Sequence, residues 1–153
     1  MNSYLFNLNT HGVFLFIASV LVYEYFIAGE REVFYHSLFS IISALIITVI
    51  LKELFTIPRP FLVEGMAPGA GLTQLSSFPS THTALAFALA STVTLHQKKF
   101  GVLVFILATA VALGRVIAGV HYPMDIFAGV LVGVLCGLFF DTIHFGKKRA
   151  KRR

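Results

Sequence analysis

The apolar residues of this chain come in long blocks broken by short polar stretches, and that arrangement leaves few folds open. A hydrocarbon core about 30 Å thick takes a helix of roughly 20 apolar residues. Within it every backbone N–H and C=O needs an internal partner, so such blocks become helices. The blocks place five spans at about 11–28, 35–55, 80–95, 100–113 and 123–145. The composition agrees: 57% of residues are hydrophobic and 12% charged, where a soluble domain carries about 25% charged. The expected fold is all-α, a polytopic membrane helix bundle, with residues 1–153 forming a single domain.

The formal charge of +5 is no sign of nucleic acid. Six of the twelve basic residues lie in 147–153, and two more are Lys98 and Lys99. Basic clusters beside apolar spans mark the cytoplasmic side, so 147–153 reads as a cytoplasmic tail; a nucleic-acid-binding tail is the weaker alternative. One cysteine, Cys136, excludes an internal disulfide and a multi-cysteine metal site and suggests simple packing. The start lacks the basic stretch and small-residue cleavage site of a signal peptide, so the first span is expected to be retained. Residues 1–10 are expected to lie in the interface or to fray. Glu24 reads as a boundary residue between the interfacial anchors Tyr23 and Tyr25, with a buried functional acid as the alternative. Residues 29–34 read as a polar turn, and Asp141 and His144 as boundary residues facing the tail. Gly129, Gly133 and Gly137 recur every fourth residue, a face for close packing that also suggests a homodimer.

The stretch 114–125 holds an arginine, a histidine and an aspartate between two apolar runs. Ionisable groups so placed are costly and usually functional. Pro123 suits the first position of the following helix. His121 therefore stands just ahead of a helix N-terminus, which favours an anion. Asp125 in the first turn can orient one imidazole nitrogen and leave the other to attack. Arg115, ending the preceding helix, can make paired hydrogen bonds to phosphate or carboxylate. An oriented histidine beside an arginine is a reasonable nucleophile for phosphorus. The plainer reading is an interfacial His–Asp pair that caps a helix.

Chain order decides between them. Span two ends, span three starts, span four ends and span five starts on one membrane face. Those ends carry Lys52 and Arg59, Ser80 and His82, Arg115, then His121 and Asp125. Ser80 or Thr81 is expected to supply the N-cap oxygen of span three. Three cations gathered on one surface repel each other unless an anion binds. Phosphoryl transfer needs such a set: cations on the non-bridging oxygens, an in-line nucleophile, and an acid for the leaving oxygen. Residues 56–79, rich in proline and glycine, form the one long loop, of the kind that serves as lid or binding segment.

These residues also resemble a family. Lys52, six residues, then Arg59-Pro60 is similar to the first signature of the type 2 phosphatidic acid phosphatase superfamily. Pro79-Ser80-Thr81-His82 resembles its second, Pro-Ser-Gly-His. Gly114-Arg115, five residues, His121, three residues, Asp125 resembles its third, which usually starts Ser-Arg. Order and spacing match over 52–125, and the wording around His82 and His121 looks most like the bacterial undecaprenyl-diphosphatases. The resemblance implies that His121 is the nucleophile and forms a phosphohistidine, oriented by Asp125. It implies that His82 protonates the leaving oxygen and then activates water. Lys52, Arg59, Ser80, Arg115 and the backbone N–H of Thr81 would hold the phosphate. Thr81 in place of glycine narrows the pocket, and Gly114 in place of serine removes a hydroxyl donor; neither alters a bond-making group.

A zinc site is a poor rival here, since His82, His121 and Asp125 would bring the ion among three cations; no metal and no cofactor is expected at the site. The superfamily's vanadate-dependent haloperoxidases are soluble, unlike this chain. A non-catalytic anionic-lipid-binding or anion-transporting protein would need the cations but not an acid, a nucleophile and an orienter together. The expected partners are a lipid phosphate or diphosphate and membrane lipids. Undecaprenyl diphosphate leads, with phosphatidate, phosphatidylglycerol phosphate and the phosphate of lipid A as alternatives. The expected location is a bacterial-type plasma membrane, with the catalytic face extracellular or periplasmic and the C-terminus cytoplasmic.

Overall fold

A computed structural model describes the backbone of residues 3–63 and 76–143 and the side chains of 11–63 and 76–143. Helix α1 (Ser3–Val22) runs into a π-helical segment, Tyr23–Ile27. Then follow α2 (Arg31–Leu54), the one-turn α3 (Pro60–Val63), α4 (Thr81–His96), α5 (Lys98–Ile117) and α6 (Pro123–Asp141). The described residues contain no strand, only an isolated bridge between Pro58 and Ser76. Three helices, α2, α5 and α6, are individually long and apolar enough to cross a membrane, and His11–Ile27 is a shorter apolar helix.

Helix α4 is the axis of the bundle. It packs on α2, α5 and α6, and α2 also packs on α6. Every residue from Thr83 to Val93 is buried. With 16 residues it spans about 24 Å, less than the hydrocarbon core, and the other helices surround it. Its alanines, 84, 86, 88 and 90, let their backbones come close. The glycines of α6 complete the fit. A Cβ on Gly129 would stand 2.7 Å from the Ser80 carbonyl oxygen, one on Gly137 2.6 Å from the Ser91 Cβ, and one on Gly133 would collide with the Ala84 carbonyl. The glycine face is thus used between α6 and α4, and the expectation of a second copy loses the observation it stood on. Apolar side chains turned outward on α1, α5 and α6, such as Leu15 at 71% exposure, Ile106 at 60% and Leu135 at 63%, find their solvent in lipid. The protein is an integral membrane helix bundle.

Several boundaries differ from those expected. Residues 3–10 continue α1 rather than forming a separate interfacial or frayed piece. Helix α2 starts at Arg31, so the polar turn is shorter than 29–34. Helix α5 extends to Ile117, because Arg115 points into the bundle instead of stopping the helix. Glu24 is fully buried and accepts a hydrogen bond from Gln97 Nε2 at 2.8 Å, so it lies at the level of the turn between α4 and α5, on the inside of the bundle. Asp141 pairs with His96 at 3.1 Å. His144 and the tail 147–153 lie outside the described residues. Cys136 is buried in packing, as expected.

Candidate active site

The site begins with how α5 stops. Gly119 has φ +69°, a left-handed conformation that glycine adopts without penalty. Its N–H donates to the Val116 carbonyl at 2.9 Å, and the Val120 N–H donates to the Arg115 carbonyl at 3.2 Å. That pair of bonds is a Schellman closure. It turns the chain so that His121 follows immediately. Val120 and Ala118 pack with Phe61 of α3 in a small apolar cluster, and this contact brings Arg59, just before α3, over the turn.

Helix α6 then starts at Pro123, whose missing N–H is not needed there. Asp125 is its third residue, and Asp125 Oδ2 accepts the Tyr122 N–H at 2.9 Å. The same oxygen lies 3.2 Å from His121 Nδ1. A carboxylate only accepts, so Nδ1 carries the hydrogen and donates it, and the lone pair sits on Nε2. Arg59 Nη1 stands 3.3 Å from that Nε2 and donates to the Val120 carbonyl at 3.1 Å. The imidazole is therefore fixed in tautomer, with its nucleophilic nitrogen beside a guanidinium.

The electrostatics keep it neutral. Burial pushes the His121 imidazole well below its ordinary value; the Asp125 hydrogen bond opposes this, and Arg59, Arg115 and Lys52 add to it. Burial also lowers Arg59, with Asp125 opposing. Lys52, Arg59, Arg115, Ser80, His121 and Asp125 are all buried. Three buried cations thus stand close to His121, in surroundings of low dielectric where an anion is held more strongly than in water.

The other expected residues arrive from α2 and α4. The Ser80 N–H donates to the Asp125 carbonyl at 3.0 Å, tying the start of α4 to the first turn of α6. The expected side-chain cap is not made by Ser80; its hydroxyl instead accepts from Thr83 Oγ1 at 3.0 Å. Thr81 is the first residue of α4, half-buried. His82 follows, within electrostatic reach of Arg115, His121, Arg59 and Lys52. Its Nε2 is buried without a hydrogen-bond partner among the described residues, and its ring meets Phe14 edge-on at 5.6 Å. Lys52, in the last turn of α2, donates to the carbonyls of Ser76 and Ser77 at 3.1 and 3.3 Å.

All eight expected residues thus converge at one end of the bundle. Sequence reasoning missed Ser76 and Ser77, whose carbonyls hold the lysine; a carbonyl leaves no mark in the identity of its residue. Residues 64–75, the middle of the loop expected to serve as lid or binding segment, lie outside the described residues. A histidine lone pair, an orienting carboxylate, three cations and a second imidazole can together carry out nucleophilic substitution at phosphorus.

Comparison with known proteins agrees with that chemistry. The family model "PAP2 superfamily" matches residues 34–149. A "Bacitracin transport permease protein BcrC" of Bacillus licheniformis is 50% identical over 42% of this chain and 32% of its own length. A "Decaprenylphosphoryl-5-phosphoribose phosphatase" of Mycobacterium tuberculosis is 33% identical over 70% of this chain and 59% of its own. The "Undecaprenyl-diphosphatase BcrC" of Bacillus subtilis is 27% identical over 65% and 51%. The chain thus spans about a third to three-fifths of the length of these relatives. Among solved structures, Aquifex aeolicus LpxE superposes with a TM-score of 0.70 at 26% identity, over 88% of this chain and 83% of that one.

Proposed function

The chain belongs to the PAP2 superfamily, and from that premise we propose that it is a membrane-embedded lipid phosphatase. It removes the terminal phosphate of a polyprenyl diphosphate, undecaprenyl diphosphate first among them, and leaves the monophosphate. The observation that carries this reading is the fixed His121: Nδ1 on Asp125, Nε2 beside Arg59, buried and neutral.

In the first step the Nε2 lone pair attacks the terminal phosphorus while the bond to the bridging oxygen breaks. Lys52, Arg59, Arg115 and the N-terminus of α4 hold the non-bridging oxygens, where charge is spread in the transition state. His82, in its protonated form, gives its proton to the leaving oxygen. The imidazole of His121 becomes cationic as it takes the phosphoryl group, and Asp125 stabilises that charge. In the second step neutral His82 takes a proton from water, the water oxygen attacks the phosphohistidine, and inorganic phosphate leaves. The side-chain cations supply the neutralisation that a metal ion supplies in other phosphatases.

Two named relatives act on polyprenyl-linked phosphates, which supports the polyprenyl reading; phosphatidate, phosphatidylglycerol phosphate and lipid A remain the alternatives of the same class. The permease name of one relative corresponds to a transport reading, for which His82 and Asp125 have no use. A phosphate-release panel over these lipids, with purified protein in detergent and excess chelator, tests the proposal. The expected result is release from undecaprenyl diphosphate above the other lipids, lost in His121→Ala. Release from none of them would sink the enzymatic reading.

A further inference from the structure

Three side chains at the end of the bundle away from His121 have no part in this reaction. His36 lies in the second turn of α2, His96 is the last residue of α4, and Asp141 the last of α6. His36 Nδ1 is 3.2 Å from His96 Nε2, and that nitrogen is 3.1 Å from Asp141 Oδ1. The three atoms all lie within 4.8 Å of one another. One ring nitrogen therefore faces a second ring nitrogen and a carboxylate oxygen at once. A neutral imidazole nitrogen offers either one hydrogen or one lone pair, so it cannot serve both neighbours fully. A cation set among them would take a lone pair from each.

We propose that His36, His96 and Asp141 form a site for Zn2+, with the fourth position open to water. The two short spacings fit: tetrahedral ligands at about 2.0–2.1 Å from zinc stand roughly 3.3 Å apart. The donor set fits as well, since two imidazoles and a carboxylate suit zinc, whereas magnesium and calcium prefer oxygen alone. The C-termini of α4 and α6 both end here, and their dipoles favour a cation. His96 and Asp141 are partly exposed, at 11% and 36%, which leaves a way in for the ion. The site joins α2, α4 and α6, the three helices whose opposite ends carry Lys52, His82 and Asp125. Zinc here fastens the far ends of the helices that frame the reaction, and it takes no part in the chemistry at His121.

The test uses tag-free full-length protein in detergent, stripped with chelator and desalted. Added Zn2+ should bind at one equivalent per chain and raise the melting temperature by several degrees, while Mg2+ at the same concentration does neither. Co2+ should give the visible bands of a tetrahedral site. His96→Ala and Asp141→Asn should each weaken zinc binding tenfold or more and abolish the thermal shift. His121→Ala should keep both, which separates this site from the catalytic one. If His96→Ala does not fold, Asp141→Asn, at a partly exposed position, decides alone. No stoichiometric zinc in the wild-type protein, zinc binding undiminished in Asp141→Asn, or zinc lost in His121→Ala would each overturn the proposal.

Discussion

His121 is constrained from both sides, and the two constraints do different work. Asp125 matters most when the imidazole becomes cationic, so Asp125→Asn should lower kcat on the order of 100-fold or more and change KM little. Arg59→Ala and Arg115→Ala remove contacts already present in the ground state, so they should raise KM as well as lower kcat. Steady-state kinetics separate the two patterns. Substrate labelled in its terminal phosphate should leave acid-labile, base-stable label on His121, accumulating in His82→Ala, where the second step lacks its base. The pH dependence follows from burial. Above 6.5 His121 is neutral in folded and unfolded chains alike and contributes nothing to the pH dependence of stability. On acidification the unfolded chain takes its proton first, so this residue erodes stability below 6.5. In the substrate-free protein, the nitrogen-15 signal of His121 should therefore keep its neutral form from pH 7 to below 6.5. At this scale the sequence was a good guide to which side chains meet at the candidate site, because their identities and spacing are the signal. It misled on Ser80, whose capping side chain bonds to Thr83 instead, and it was silent on the carbonyls that hold Lys52.

Helix ends and helix contacts obey other rules. Among the described residues Gly119 has no neighbour within 4 Å of an added Cβ, so there its φ of +69° is what opposes a side chain. Gly119→Ala should cost about 1–2 kcal/mol, read as a lower melting temperature in detergent, with phosphate release reduced because His121 sits two residues on. Gly133 is the opposite case. An added Cβ there would stand 2.8 Å from the Ala88 nitrogen and 2.9 Å from the Phe87 Cβ, besides meeting the Ala84 carbonyl. Backbone cannot rotate away, so Gly133→Ala should push α6 from α4 and cost roughly 1–3 kcal/mol. Because those helices carry Asp125 and His82, turnover should fall together with thermal stability. Unchanged turnover at a lower melting temperature would show that the spacing of α4 and α6 does not set the site. The every-fourth glycine pattern announced a close-packing face but could not say which surface it met. Nor could hydropathy end α5 correctly: Arg115 reads as a stop, yet it is buried within the helix's last turn, 1% exposed, where the site itself gives the charge its surroundings.

For the whole molecule, the five helical spans found among the described residues were legible as apolar blocks, and alternation sufficed to bring four helix ends to one face. What the blocks could not reveal is the ranking of the helices, with α4 at the centre and wrapped by the rest. Its alanine-rich sequence is less apolar than those of α5 and α6, as a helix shielded from lipid can be. The same alternation also predicts which side of the membrane each end faces. By the positive-inside rule the six basic residues in 147–153 are expected in the cytoplasm. Crossing α6 puts His121 outside, crossing α5 puts Lys98 and Lys99 inside, and crossing α4 returns to the outer face with Ser80. Lys98 and Lys99 thus agree with the tail independently. The turn before α2 offers Arg31 between Glu30 and Glu32 and has no positive bias. On this prediction Arg59 and Arg115 would stand on the outer side, held there by the substrate anion rather than acting as orientation signals. An outer site suits an enzyme that acts on a carrier lipid once its cargo has crossed the membrane. In a Cys136→Ala background, single cysteines at Thr56 and at Lys98, both exposed, report on the two faces. An impermeant thiol reagent applied to intact cells should label position 56 and spare position 98 until the membrane is opened. The reverse pattern would turn the site toward the cytoplasm and favour a phospholipid of the inner leaflet as substrate.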